Sequence, residues 1–146
     1  MSVPALVTKG LTRRFGSRTA VDNLTVCVNE GDTYGFLGPN GAGKTTAIRC
    51  ILGLIKRDAG TVAIFGEDGI RARRHVGAMV ETPAFHSWMS GRANLERAVA
   101  FAGQGDRSDI DRSLELVGLM GRDKEPVGTY SLGMRQRLGI ARALVG

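Results

Sequence analysis

The rhythm of apolar and polar positions changes once along this chain, near residue 81. Before that point the apolar residues come as short runs and alternations. The segment ALVTKGLTRRF over residues 5–15 predicts an edge strand. AVDNLTVCV over residues 20–28 sets Val21, Leu24, Val26 and Val28 among polar neighbours and predicts a second strand antiparallel to the first. A turn, Asn29-Glu30-Gly31-Asp32, leads into TYGFL over residues 33–37, an apolar run that predicts a buried strand. Two more short strands are predicted from TVAIF at 61–65 and VGAMV at 76–80, with polar KRDAG and basic RARR as connectors. Beyond Glu81 the spacing becomes helical. Leu95, Ala98, Val99 and Ala102 form one stripe and Ile110, Leu114 and Val117 another, with a break at residues 103–106. A loop over residues 121–130 carries Pro126 and Gly128. Ser131 then caps a last helix with Met134, Leu138, Ala141 and Val145 on one face, expected to run to the final residue.

Between the run at 33–37 and a helix predicted over 46–52 stands GPNGAGKTT, residues 38–46. It fits G-x-x-x-x-G-K-[ST] at Gly38, Gly43, Lys44 and Thr45. Glycines at 38, 41 and 43 let the backbone of Gly38, Pro39, Asn40, Gly41, Ala42 and Gly43 turn so that its successive amide N–H groups, which Pro39 lacks, point into one concavity suited to phosphates. Lys44 adds a movable charge, the start of the helix adds its dipole, and the Thr45 hydroxyl is a ligand for phosphate-bound Mg²⁺, with Thr46 beside it. A nucleoside triphosphate is the ligand this loop predicts.

Composition narrows the picture little further. With 146 residues, 42% hydrophobic and 23% charged, the chain suits one globular domain. No apolar run nears the ~20 residues of a membrane span, and the start MSVPALVTKG lacks the pattern of a secretory signal, which predicts a cytosolic chain. Cys27 and Cys50 have no metal-ligand spacing and read as reduced, apolar core residues. The net charge of +6 raises a nucleic-acid reading, but the arginines are dispersed and aromatics make up only 5%, so no nucleic acid is expected.

A second motif is more selective. YSLGMRQRL followed by GIARAL, residues 130–144, resembles the signature segment of ABC-transporter ATP-binding subunits, usually LSGGQ. Ser131 and Gly133 match that pattern; Tyr130 replaces the leading Leu and Leu132 replaces a Gly. In that family the segment, here Ser131, Leu132, Gly133 and Met134, binds the γ-phosphate of ATP held by a second subunit. By the same resemblance Phe15 stacks on adenine, and Glu81 occupies the position where most relatives place a glutamine near Mg²⁺ and the attacking water. A solvated glutamate and a core phenylalanine are the ordinary alternatives. GDTYGFLGPNGAGKTT, LGLIKRDAGTVAIFGED and VGAMVETPAF narrow the likeness to the bacitracin and lantibiotic exporter branch.

The resemblance implies an α/β fold of the P-loop NTPase type, an ABC-type nucleotide-binding domain with an antiparallel β edge and part of a helical subdomain. The expected divisions are a β-rich phosphate-loop core over 1–81, a helical subdomain over 82–130 and a signature helix over 131–146. It implies ATP and Mg²⁺ as cofactors, a second ATP-binding subunit arranged head to tail, and a separate membrane-spanning permease. The location expected is cytoplasmic, at the inner face of the cell membrane, and the activity ATP-driven export of a drug, peptide or antibiotic. Residues 81–94, with Phe85 and Trp88, would face the permease or pack against the helices. Relatives carry a Walker B strand with Asp-Glu and a switch histidine after the signature, whereas His75 and His86 precede it. The chain therefore reads as truncated before the Walker B strand, with no complete catalytic set. A non-hydrolysing nucleotide-binding remnant and a soluble ABC-type ATPase are the other readings.

Overall fold

The computed structural model describes residues 3–81 and 83–145, without the side chain of Ile70. Thr82, where the helical subdomain is expected to begin, and Gly146 lie outside the described residues. The chain divides into two compact units, residues 1–76 and 77–146.

The first unit is built on a three-stranded antiparallel sheet of order β2-β1-β3, formed by β1 (Leu6–Phe15), β2 (Arg18–Val28) and β3 (Ala59–Ile64). The alternation that predicts β2 contains a parity break, odd at Val21 and even at Leu24, Val26 and Val28. An extra β2 residue between the pairs Arg13↔Val21 and Leu11↔Leu24 accounts for it, with Asn23 in left-handed backbone at φ 46°. Two buried threonines fill the interrupted ladder: the Thr8 hydroxyl donates to Leu24 O and accepts from Val26 N–H, and that of Thr12 accepts from Asn23 N–H. Helix α1 (Lys44–Ile51) buries Ala47 and Cys50 in a cluster with Leu11, Val21 and Val62, and Phe36 and Ile55 pack at its margin. A short helix α2 (Ile70–Arg73) follows β3 and is tied back by Arg73, which donates to Gly53 O at 2.6 Å.

Two expected strands do not form. Residues 33–37 and 76–80 have no strand pairing, and Tyr34 and Leu37 are exposed, Leu37 at 93%. A fully buried strand needs backbone partners on its flanks as well as apolar side chains, and among the described residues nothing pairs with either segment. Cys27 also departs from expectation. It is exposed while Cys50 is buried, because Cys27 points to the face of β2 opposite its buried neighbour Val26.

The second unit is helical, with α3 (Gly91–Ala102), α4 (Arg107–Leu116), a 3-10 turn (Val127–Thr129) and α5 (Leu132–Leu144). Local chemistry sets each boundary. The Ser90 hydroxyl accepts from Ala93 N–H to start α3, and Gly103 ends it in left-handed backbone. Asp106 and Asp109 form a reciprocal capping box on α4. Leu95, Ile110, Leu114, Leu119, Val127, Tyr130, Met134, Leu138 and Ala141 make the core. The predicted face of α5 is therefore the packed one, but the helix stops at Leu144, with Val145 in extended backbone. Arg92 ties three segments, pairing with Asp111 on α4 at 2.6 Å and with buried Asp123 at 2.7 Å. The predicted loop at 121–130 contains the 3-10 turn and is fixed by Tyr130, whose hydroxyl donates to Arg122 O at 2.6 Å. Gly91 is required beside it, since a Cβ there would lie 2.5 Å from that hydroxyl oxygen.

Candidate functional site

In the first unit, Phe15, Arg18, Ala20, Asn40, Gly41, Gly43, Lys44, Thr45 and Thr46 line one cleft of about 430 Å³. The loop is shaped by a turn in which Ala42 N–H donates to Pro39 O. Gly43, at φ 84°, is the N-cap of α1, and a Cβ on it would stand 1.9 Å from Ala20 O. Only glycine lets the loop pass this close to β2.

No side chain caps α1, so the N–H groups of its first turn are left without a capping acceptor at the positive end of the helix dipole. The Lys44 ammonium donates to Gly38 O at 2.5 Å and Pro39 O at 2.7 Å, which holds its charge over the loop. Thr45 and Thr46 lie on that first turn, with Thr45 exposed at the cleft. Phe15, the last residue of β1, is 49% exposed and forms another part of the wall. Gly38, Pro39 and Ala42 shape the loop rather than line the cleft.

Sequence reasoning missed Arg18 and Ala20 as lining residues. Arg18 pairs with Phe15 across the hairpin, and its guanidinium donates to Gly41 O at 3.3 Å. The signal was present in FGSR, where a two-residue turn sets the flanking residues opposite each other.

The signature residues belong to the helical unit. The Ser131 hydroxyl accepts from Met134 N–H at 3.2 Å and caps α5. Ser131, Leu132 and Gly133 are exposed, so the start of α5 presents a hydroxyl and backbone N–H groups to solvent. Met134 behaves differently: its side chain is 9% exposed and sits in the core, which leaves only its backbone at the helix start. Tyr130 is a core residue as well. Burial raises the pKa of its phenol, with Asp123 and Glu125 adding to the effect.

Glu81 is exposed in an irregular segment. Trp88 is 75% exposed with His86 tilted against it at 4.9 Å, whereas Phe85 packs on the core beneath the Arg142 guanidinium at 5.0 Å. Among the described residues there is no cluster of three or more His, Cys, Asp or Glu side chains able to hold a metal.

Comparison with known proteins points to one family. A family profile described as ABC transporter matches residues 21–146. The chain is 48% identical over 142 residues to the bacitracin transport ATP-binding protein BcrA of Bacillus licheniformis, covering 94% of this chain and 46% of that protein. It is 35% identical to the lantibiotic transport ATP-binding protein SrtF of Streptococcus pyogenes, covering 94% of this chain and 60% of that protein. A solved ATP-binding subunit of an ABC transporter superposes with a TM-score of 0.82 at 27% identity, over 95% of this chain and 61% of the other. The chain thus spans about half the length of the BcrA protein it matches, 46%.

Proposed function

This chain belongs to the ABC transporter family, and from that premise we propose that it supplies the nucleotide-gripping stretch of an ATP-binding subunit that powers transport across a membrane. The observation that carries the reading is the cleft in which the glycine-rich loop, Lys44, Thr45 and half-exposed Phe15 face one volume. In this reading the β- and γ-phosphates lie on the loop and the first turn of α1, with Lys44 exchanging its carbonyl partners for phosphate oxygens. The base stacks on Phe15, and Arg18 sits between base and loop to meet the intervening phosphate or ribose.

Mg²⁺ accompanies the triphosphate here. The Thr45 hydroxyl is an oxygen donor of the kind this hard cation takes, and Glu81 is a candidate only through the family resemblance. When bound, the ion would neutralise phosphate charge. Ser131, Leu132 and Gly133, with the backbone at Met134, form a second anion-binding surface, proposed to meet the nucleotide of another ATP-binding subunit in a head-to-tail pair. Relatives named for bacitracin and lantibiotic transport support transport of a peptide antibiotic or drug; export as its direction, a separate membrane-spanning permease, and a place for this chain at the inner face of the cell membrane belong to the same proposal. Among the described residues no helix is long and apolar enough to cross a membrane.

Hydrolysis is the general activity of this family. Among the described residues lining the cleft, however, none is an aspartate, glutamate or histidine, so a group that polarises water must come from outside this wall. That observation favours a second reading in which residues 1–146 by themselves bind nucleotide without turning it over.

Titration of the chain with Mg·ATP, alongside phosphate release, tests both readings. Lys44→Ala is expected to weaken binding by more than about tenfold, since a charge-assisted phosphate contact is lost; unchanged affinity would sink the phosphate-loop assignment. Absence of turnover supports the second reading. Turnover that Lys44→Ala and Glu81→Gln both remove would instead give Glu81 the catalytic role.

A further inference from the structure

Phe15 is half-exposed at the end of a hairpin, a poor place to hold a ring still. The residues behind it answer that problem. Arg13, two positions earlier on β1, carries its guanidinium carbon 4.4 Å from the centroid of the Phe15 ring. Phe15 lines the cleft and Arg13 does not.

The cation is itself fixed. Arg13 Nη1 meets both carboxylate oxygens of Asp58, at 3.2 and 3.3 Å, and only 22% of the Arg13 side chain is exposed. Asp58 is pinned to the same strand: its Oδ2 accepts from Arg14 N–H at 2.6 Å and its own N–H donates to Thr12 O at 2.9 Å. Strand, carboxylate, guanidinium and ring form one continuous stack of contacts, all within the first unit.

We propose that Arg13 and Asp58 are positioning residues for the nucleobase, holding Phe15 as a preorganised and cation-polarised stacking platform. The proposal rests on the reading of Phe15 given above and extends it to two residues that touch no nucleotide. A guanidinium against one face draws π density toward itself and leaves the other face a better partner for an electron-rich purine. Fixing the ring beforehand also removes part of the ordering cost that base binding would otherwise carry. The hydrogen bond from Arg14 N–H, with the adjacent Arg13, holds the Asp58 carboxyl below the usual aspartate range, so the clamp keeps its charge at neutral pH.

The test compares two ligands on the whole chain: Mg·ATP, and Mg·tripolyphosphate, which offers the phosphates without a base. Arg13→Gln and Asp58→Asn are each expected to weaken Mg·ATP roughly 3- to 10-fold and to leave Mg·tripolyphosphate within about twofold. In a Phe15→Ala background, Arg13→Gln should have no further effect on ATP, because the surface it supports is gone. Equal losses for both ligands, an undiminished effect without Phe15, or an unchanged ratio of affinities would each overturn the platform. Lys44→Ala separates this from the parent reading. If it spares both ligands, the phosphate-loop assignment falls and the platform with it; if it abolishes both while Arg13→Gln leaves the ratio unchanged, the platform alone falls.

Discussion

The two units of this molecule treat the same problem, satisfying backbone hydrogen bonds around an apolar core, in opposite ways. The helical unit satisfies most of its backbone locally: Ser90, Asp106 and Ser131 each accept from amides two or three residues ahead, and nine side chains close one core. The β unit depends on distant partners, and where they are not among the described residues, at 33–37, apolar sequence stays unpaired, as it also does over 76–80, most of which falls in the second unit. The difference teaches that strand-forming sequence fixes a tendency, whereas a helix carries its own hydrogen-bond partners. It also separates ligand chemistry from fold regularity. The loop at 38–46 and α1 are in place although the segment leading into them is not a strand.

This contrast can be broken most forcefully by amide hydrogen exchange. Amides of residues 34–37 should exchange roughly a thousandfold or more faster than those of Leu138 and Ala141 in α5, because the former lack strand partners and the latter are buried and helical. Comparable protection would show that residues 33–37 are paired in solution and would remove the asymmetry. Next in size is a pair of truncations. Leu138→Ala should destabilise the helical unit by about 2–5 kcal/mol, since Leu138 has no exposed surface and its loss leaves a cavity. Leu37→Ala should change stability by less than about 0.5 kcal/mol. Urea unfolding followed by circular dichroism reads both, and a cost at Leu37 equal to that at Leu138 would mean that the 33–37 segment is packed after all.

A smaller effect sharpens the helical side. Ser131→Ala removes the cap of α5 and should cost about 1 kcal/mol, while Ser131→Gly should cost only a few tenths. A cap that matters to nucleotide more than to folding would instead leave the unfolding midpoint unchanged and lower affinity in an assembled pair of ATP-binding subunits. The smallest expected effect is with pH. The Ser108 hydroxyl and the backbone N–H groups of Asp109 and Ser108 hold the Asp106 carboxyl below its ordinary value. Because the folded pKa is the lower one, the contribution of this capping box is present above about pH 3.9, the unfolded value. It is lost as pH falls through the folded pKa. Asp106→Asn should flatten acid unfolding of α4 in that window, and an unaltered acid limb would deny the box a role in stability.

Some features follow from residues near one another in the chain, and these were legible in the sequence. GPNGAGKTT specifies its own conformation through Gly43 and its own chemistry through Lys44 and Thr45; Ser131 announces the start of α5 and residues 103–106 the break between helices. Apart from the approach of Gly43 to Ala20, their partners lie within about six residues, so composition and spacing suffice. Other features were decided only by tertiary structure. Whether residues 33–37 and 76–80 became strands depended on neighbours in a sheet. Whether Cys27 faced the core depended on the register of β2, and whether Met134 faced ligand or core depended on what packed against α5. Arg18 at the cleft, and Arg13 and Asp58 behind Phe15, were invisible for the same reason. Arg13 and Asp58 stand 45 positions apart in the chain, and only the folded sheet brings the carboxylate to the guanidinium and the guanidinium to the ring.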